Sequence, residues 1–182
     1  IALDNQMTNI RMVTGATNEE AKQLLKTFQG LAKETSSTTS EIAKSGEVWL
    51  RQGHSIADTN TLIETSAVLS KVAFMESAKS AELLTSAING YKIEAQDAMS
   101  VVDKMSAIDV NAATGTDELA EALQQTSASA QLAGLSLDKT LAYIATISEV
   151  TRQSGATIGQ SLKTVFARIN QVKLGKLVDD DT

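Results

Sequence analysis

The residues best equipped for chemistry are the single histidine, His54, the spaced glycines Gly155 and Gly159 with Lys163-Thr164 downstream, and the run Asp179, Asp180 and Asp181. A phosphate-binding loop needs its lysine directly after the second glycine, so that backbone amides and ammonium converge on one phosphate. Lys163 lies a helical turn further on and no strand precedes it, so that reading fails. Small residues at 155, 156 and 159 instead suit the close approach of two helices. His54 follows Arg51-Gln52-Gly53 at a corner, and the chain has no cysteine and no second histidine to share a metal with it. It reads as a polar loop residue. The aspartate run lacks the alternating ligands, central glycine and closing glutamate of a calcium loop, and reads as a solvated tail. Serines and threonines are abundant, but no base stands by to activate them, so we expect caps and surface positions. We assign no catalytic, cofactor-binding or metal-ligating residue, and expect no enzyme.

From Lys163 to Lys176 the sequence holds Lys163, Arg168, Lys173 and Lys176 without an acidic residue. This is either a solvated helix face or a docking strip for an acidic partner or channel wall. The chain as a whole carries a formal charge of −6, which argues against nucleic-acid binding as its primary activity, since phosphate contacts need clustered cations. Without cysteine there are no disulfides, and redox arguments do not fix a compartment. There is no signal peptide and no apolar run of about 18 residues, so we expect no membrane span in this segment. The chain opens on Ile1 in the middle of patterned sequence and is expected to be an internal piece of something longer.

The elements that carry these residues are predicted to be helices throughout. Proline is absent and aromatic residues are only 3% of a 182-residue chain. That composition points to helices packed through small residues, not to a sheet. Much of the 42% hydrophobic content is alanine, which removes little apolar surface from water at roughly 25 cal/mol per Å². The core is therefore expected to be thin and to depend on neighbours.

In order, Leu3, Met7, Ile10 and Val13 give a first stripe, and Gly15 closes it. Thr17 with Glu20 has capping-box spacing ahead of Leu24, Leu25, Phe28 and Leu31. The run Thr35–Ser40 is the best candidate linker. Thr38 with Glu41 offers a second capping box, for a helix through Trp49 that stops at Gly53. Ser55 restarts the pattern through Leu62, Ile63, Leu69, Val72 and Ala73. A helix from Ser77 to Asn89 is expected to end at Gly90, and one from Glu94 to Ile108 to turn Ala98, Val101, Val102 and Met105 inward. Thr114-Gly115-Thr116 marks a corner before a helix that ends near Gly134.

The stretch Gly134–Asn170 organises the rest. Ser136 caps a helix with Leu141, Ile144, Ala145 and Ile147 inward, and Arg152 sits in its last turn before a break at Ser154-Gly155. A second stripe follows through Ile158, Leu162, Val165, Phe166 and Ile169. The two are expected to fold on each other as an αα-hairpin. The fold class predicted is all-α, an array of short antiparallel helix hairpins with no β-sheet.

The run ISEVTRQSGATIGQSLKTVFARI (147–169), the following QVKLGKLVDD, and the upstream GTDELAEALQQTSASAQLAGLSLDKTLAYIATI (115–147) together resemble the segment that bacteriophage tail tape-measure proteins share most widely. The resemblance covers roughly Ser37 to Asp181. It divides the chain into 1–36, helices leading in from a longer chain; 37–172, the helical tape-measure core segment; and 173–182, a polar tail.

The resemblance implies a structural protein that occupies the tail-tube lumen, sets tail length during assembly and leaves at genome ejection. It implies tube protein, tail-tip or baseplate proteins, tail-assembly chaperones and further copies of the chain as partners. Localisation would be the virion tail, in the lumen or at the tip, and the host cytoplasm during assembly. Caps and glycines interrupt the chain every few turns and strict heptads are absent, so we expect a folded bundle in at least one state, able to extend in another. The alternative is a stand-alone α-helical adaptor or interaction domain.

Overall fold

The computed structural model describes residues 2–175. Among these residues all regular structure is helical, in the order α1 (Ala2–Thr14), α2 (Asn18–Glu34), α3 (Thr39–Arg51), α4 (Ile56–Val72), α5 (Ser77–Tyr91), a 3-10 turn at Ala95–Asp97, α6 (Met99–Asn111), α7 (Thr116–Leu132), α8 (Leu137–Thr151) and α9 (Gly155–Lys173). The expected all-α array stands. Lys176 and Asp179, Asp180 and Asp181 lie outside the described residues.

Local capping sets most of the starts. Thr17 and Thr38 each accept from the amide three residues on, while Glu20 and Glu41 accept from the capping residue's own backbone N–H, at 2.8 and 2.7 Å. Ser55, Ser136 and Ser154 cap α4, α8 and α9 in the simpler way. At Gly115 no side chain is available, and Asp109, seven residues upstream, accepts from both the amide and the hydroxyl of Thr116.

The helix ends depart from expectation in two places. Gly90 lies inside α5, and the left-handed residue that ends the helix is Lys92, after which Ile93 donates to the Ile88 carbonyl at 2.9 Å. Arg152 is not in the last turn of α8. It adopts a left-handed conformation beyond it, with its N–H on the Ser148 carbonyl at 2.9 Å. The closure seen at Lys92, a left-handed residue followed by an N–H reaching back to the final turn, recurs at Ser36, Phe74 and Gly134. The expected helix at Glu94 begins instead with the 3-10 turn, and α6 starts at Met99.

The described chain divides into two compact units, residues 2–82 with 95–102, and 83–94 with 103–175. In the first, α3 packs on α1, α2 and α4. Gly46 on α3 makes room for Phe28 of α2: a Cβ there would meet the Phe28 ring at 2.7 Å. Trp49 is fully buried and donates its indole N–H to Ser66 Oγ at 3.0 Å, and Ser66 passes its own proton to the Leu62 carbonyl at 2.7 Å. The run Thr35–Ser40 forms a tight corner inside this unit, between α2 and α3, two helices that pack on each other.

In the second unit α7 is the axis, flanked by α8 and α9 and touched by α5 at Gly90, where an added Cβ would meet Ser127 Cβ at 2.5 Å. Leu119, Ala122, Leu123 and Ala130 of α7 are buried with Leu141 and Ile144 of α8 and Ile158 and Phe166 of α9.

The serines and threonines are not confined to caps and surface. Twelve of them are buried among the described residues. Six of the twelve, Thr65, Ser66, Ser80, Thr126, Ser127 and Thr140, return a hydrogen bond to the carbonyl four positions earlier. A hydroxyl satisfied within its own helix is small enough to pack where a larger side chain would hold helices apart.

Candidate functional site

The most specific arrangement in the second unit is the seam between α7 and α9. Gly155 faces the backbone of Glu118, and Gly159, one turn on, faces the backbone of Ala122. Both contacts step forward together, so α9 runs parallel to α7. At the far end the Lys173 ammonium donates to the Ala133 carbonyl, just past the C-terminus of α7, where a helix dipole favours a cation. The seam is thus fixed at both ends. Helix α8 runs the other way, with Ser148 near its end donating to Glu118 Oε2 at 3.1 Å, near the start of α7.

Helices α8 and α9 run antiparallel and touch, as expected of the αα-hairpin, but they are not each other's closest partners. Helix α9 takes α7 as its close partner, because two glycines let the backbones approach nearer than any pair of facing side chains allows. Of the three small residues singled out from sequence, Gly155 and Gly159 are in the seam and Ala156 is exposed. Of the predicted stripe, Ile158, Leu162 and Phe166 are buried, whereas Val165 and Ile169 are 50% and 40% exposed.

Between α8 and α9 lies an apolar groove of about 280 Å³, walled by Tyr143 and Ile147 on one side and Leu162, Val165, Phe166 and Ile169 on the other. Among the described residues no charged one lines it. Helix α5 is tied to α8 by a relay in which the Tyr91 hydroxyl donates to Thr140 Oγ1 at 2.6 Å and Thr140 to the Ser136 carbonyl at 3.0 Å. Burial holds the Tyr91 phenol above its ordinary pKa, with the Thr140 bond opposing that shift.

The residues whose types could carry chemistry are not brought together. His54 meets the Trp49 ring edge-on, at 5.6 Å between centroids. Lys163 and Thr164 are exposed on α9, and the Thr164 hydroxyl bonds the Gln160 carbonyl at 3.1 Å. Among the described residues no group of three or more His, Cys, Asp or Glu is placed to hold a metal ion, and no helix is long and apolar enough to cross a membrane. Of the cationic run, Lys163 and Arg168 are exposed, while Lys173 is drawn onto α7.

Sequence reasoning missed the groove, the Asp109 cap and the exposed corner at Phe74. One signal was present: α9 carries six large apolar residues, more than a single partner helix covers.

A family model described as phage-related minor tail protein matches residues 7–179. The tape measure protein of Pneumococcus phage Dp-1 is 25% identical over 164 residues, covering 90% of this chain and 14% of that protein. The chain therefore spans a small part of the length of that curated relative. No solved structure matches it.

Proposed function

We propose that this chain, which belongs to the phage-related minor tail protein family, is a segment of a tail tape measure. In this reading it acts in the tail-tube lumen, contributes to the length at which tube assembly stops, and leaves with the rest of its chain at genome ejection. The observation that carries the reading is the likeness to a tape measure protein along 90% of the chain. Its partners would be the tube protein, tail-tip or baseplate proteins, assembly chaperones and further copies of itself.

A ruler acts through its length. As one unbroken helix, 182 residues would extend about 270 Å at 1.5 Å per residue. The capped and closed corners at Thr17, Thr38, Ser55, Ser136 and Ser154 favour a folded state before assembly, which would open into the extended one. Small residues at the helix seams make such opening less costly, since little apolar area is lost.

The test is an in-frame deletion of residues 37–170 from the parent gene, with tail length read by electron microscopy. A measuring role predicts tails shorter by about 200 Å. Unchanged length with failed assembly would assign the segment to docking in the folded state. Normal tails with normal infectivity would overturn the reading.

A further inference from the structure

Phe74 stands at the corner between α4 and α5 with 97% of its surface exposed, in the left-handed conformation at φ +51°. Glycine occupies that region freely; a bulky side chain does so only when its surroundings hold it there. Here Met75 donates its N–H to the Ser70 carbonyl at 2.9 Å, and the Ser70 hydroxyl returns a bond to the Met75 carbonyl. The corner is therefore closed from both sides, and the ring is presented outward. The chain thus carries a fixed, fully solvated aromatic and, elsewhere, an uncharged apolar groove of about 280 Å³.

We propose that Phe74 of one copy inserts into the α8/α9 groove of a second copy. The groove offers Tyr143 and Phe166 for ring contacts and Val165 and Ile169 for apolar cover, all on one chain with the aromatic that needs it. An inserted phenylalanine removes about 150–250 Å² from water and supplies the central anchor that interfaces are built around. The corner carries exposed Lys71 and Glu76, and α9 carries exposed Lys163 and Arg168 beside the groove, so the ion pair available is Glu76 with an α9 cation. Phe74 and the groove are different surfaces, so the contact either closes reciprocally in a two-fold dimer or continues head to tail. It names the surfaces for the self-association in the reading above and is tested in solution, independently of tail length.

The test uses sedimentation velocity on the 182-residue chain over a concentration series, with Phe74→Gly and Ile169→Lys, and Val165→Glu as a second groove variant. The wild type grows in mass with concentration, and each variant alone associates about thirtyfold more weakly. An equimolar mixture of Phe74→Gly and Ile169→Lys retains one intact knob and one intact groove, and so forms a one-to-one pair and stops there. Phe74→Gly also melts no lower than the wild type, since glycine suits the corner. A wild type that stays monomeric throughout, a Phe74→Gly variant that assembles unchanged, or a mixture that fails to pair would each overturn the proposal. A lowered melting temperature in Phe74→Gly without change in mass would do so too, by placing the ring's contacts within its own chain.

Discussion

No side-chain atom fits between Gly155 and the Glu118 carbonyl: a Cβ built on Gly155 would overlap that oxygen and lie 2.7 Å from the Glu118 carbonyl carbon. Two residues far apart in sequence thereby bring α7 and α9 into backbone contact. The groove beside α8 follows from it, because a helix drawn this close to one neighbour cannot cover the other.

Substitution of Gly159 by alanine tests the seam. Its Cβ would stand 2.7 Å from the Ala122 carbonyl oxygen and 2.9 Å from Gln125 Cβ. Overpacking of this kind costs about 1–3 kcal/mol, against a helix-propensity gain of roughly 1 kcal/mol. We expect a net loss of stability in urea unfolding followed by circular dichroism, and a larger one for Gly155→Ala. A rise in midpoint for both would mean that α9 does not lie on α7.

Gly30→Ala has the opposite sign. Gly30 is inside α2 with nothing within 4 Å of an added Cβ, so the substitution gains propensity without overlap. The expected stabilisation is about 0.5–1 kcal/mol, read in the same urea assay.

Ser66→Ala removes the acceptor of the buried Trp49 indole N–H. Leaving that donor unpaired costs about 1–3 kcal/mol. Trp49 is the sole tryptophan, so its fluorescence reports on the site directly. Emission unchanged in wavelength, together with unchanged stability, would argue that the indole finds no partner in Ser66.

The capping boxes make stability depend on pH. Backbone and hydroxyl hydrogen bonds from Thr17 and Thr38 hold the Glu20 and Glu41 carboxyls below their ordinary value of 4.5. A carboxylate held low binds fewer protons folded than unfolded, so its contribution is complete above the ordinary value and is lost as pH falls through the folded one. The melting temperature of the wild type should exceed that of Glu41→Gln at neutral pH and converge with it in acid. A constant difference down to the most acidic pH would contradict the cap.

What the sequence determined by itself is whatever a few neighbouring residues decide. The starts at Thr17, Thr38, Ser55 and Ser136 were legible, because a cap and its partner amide lie three positions apart, whereas Ser154 read as a break and is the cap of α9. The all-helical class was legible too, from missing proline and regular apolar spacing. Gly90 misled because a glycine in a helical pattern reads as a stop until its neighbour is seen: Ser127 needs the space where a Cβ would be. The buried hydroxyls were missed because Thr126 and Ser127 satisfy themselves on their own helix, leaving no trace in composition.

Only the tertiary structure decided which helices are close partners. Apolar stripes say that α7, α8 and α9 must bury a face, but not against which neighbour. That choice depends on how near two backbones can come, and here it is settled by Gly155 against Glu118 and Gly159 against Ala122, contacts between residues separated by an entire intervening helix. The groove, with Val165 and Ile169 left half-open, is the physical consequence of that preference.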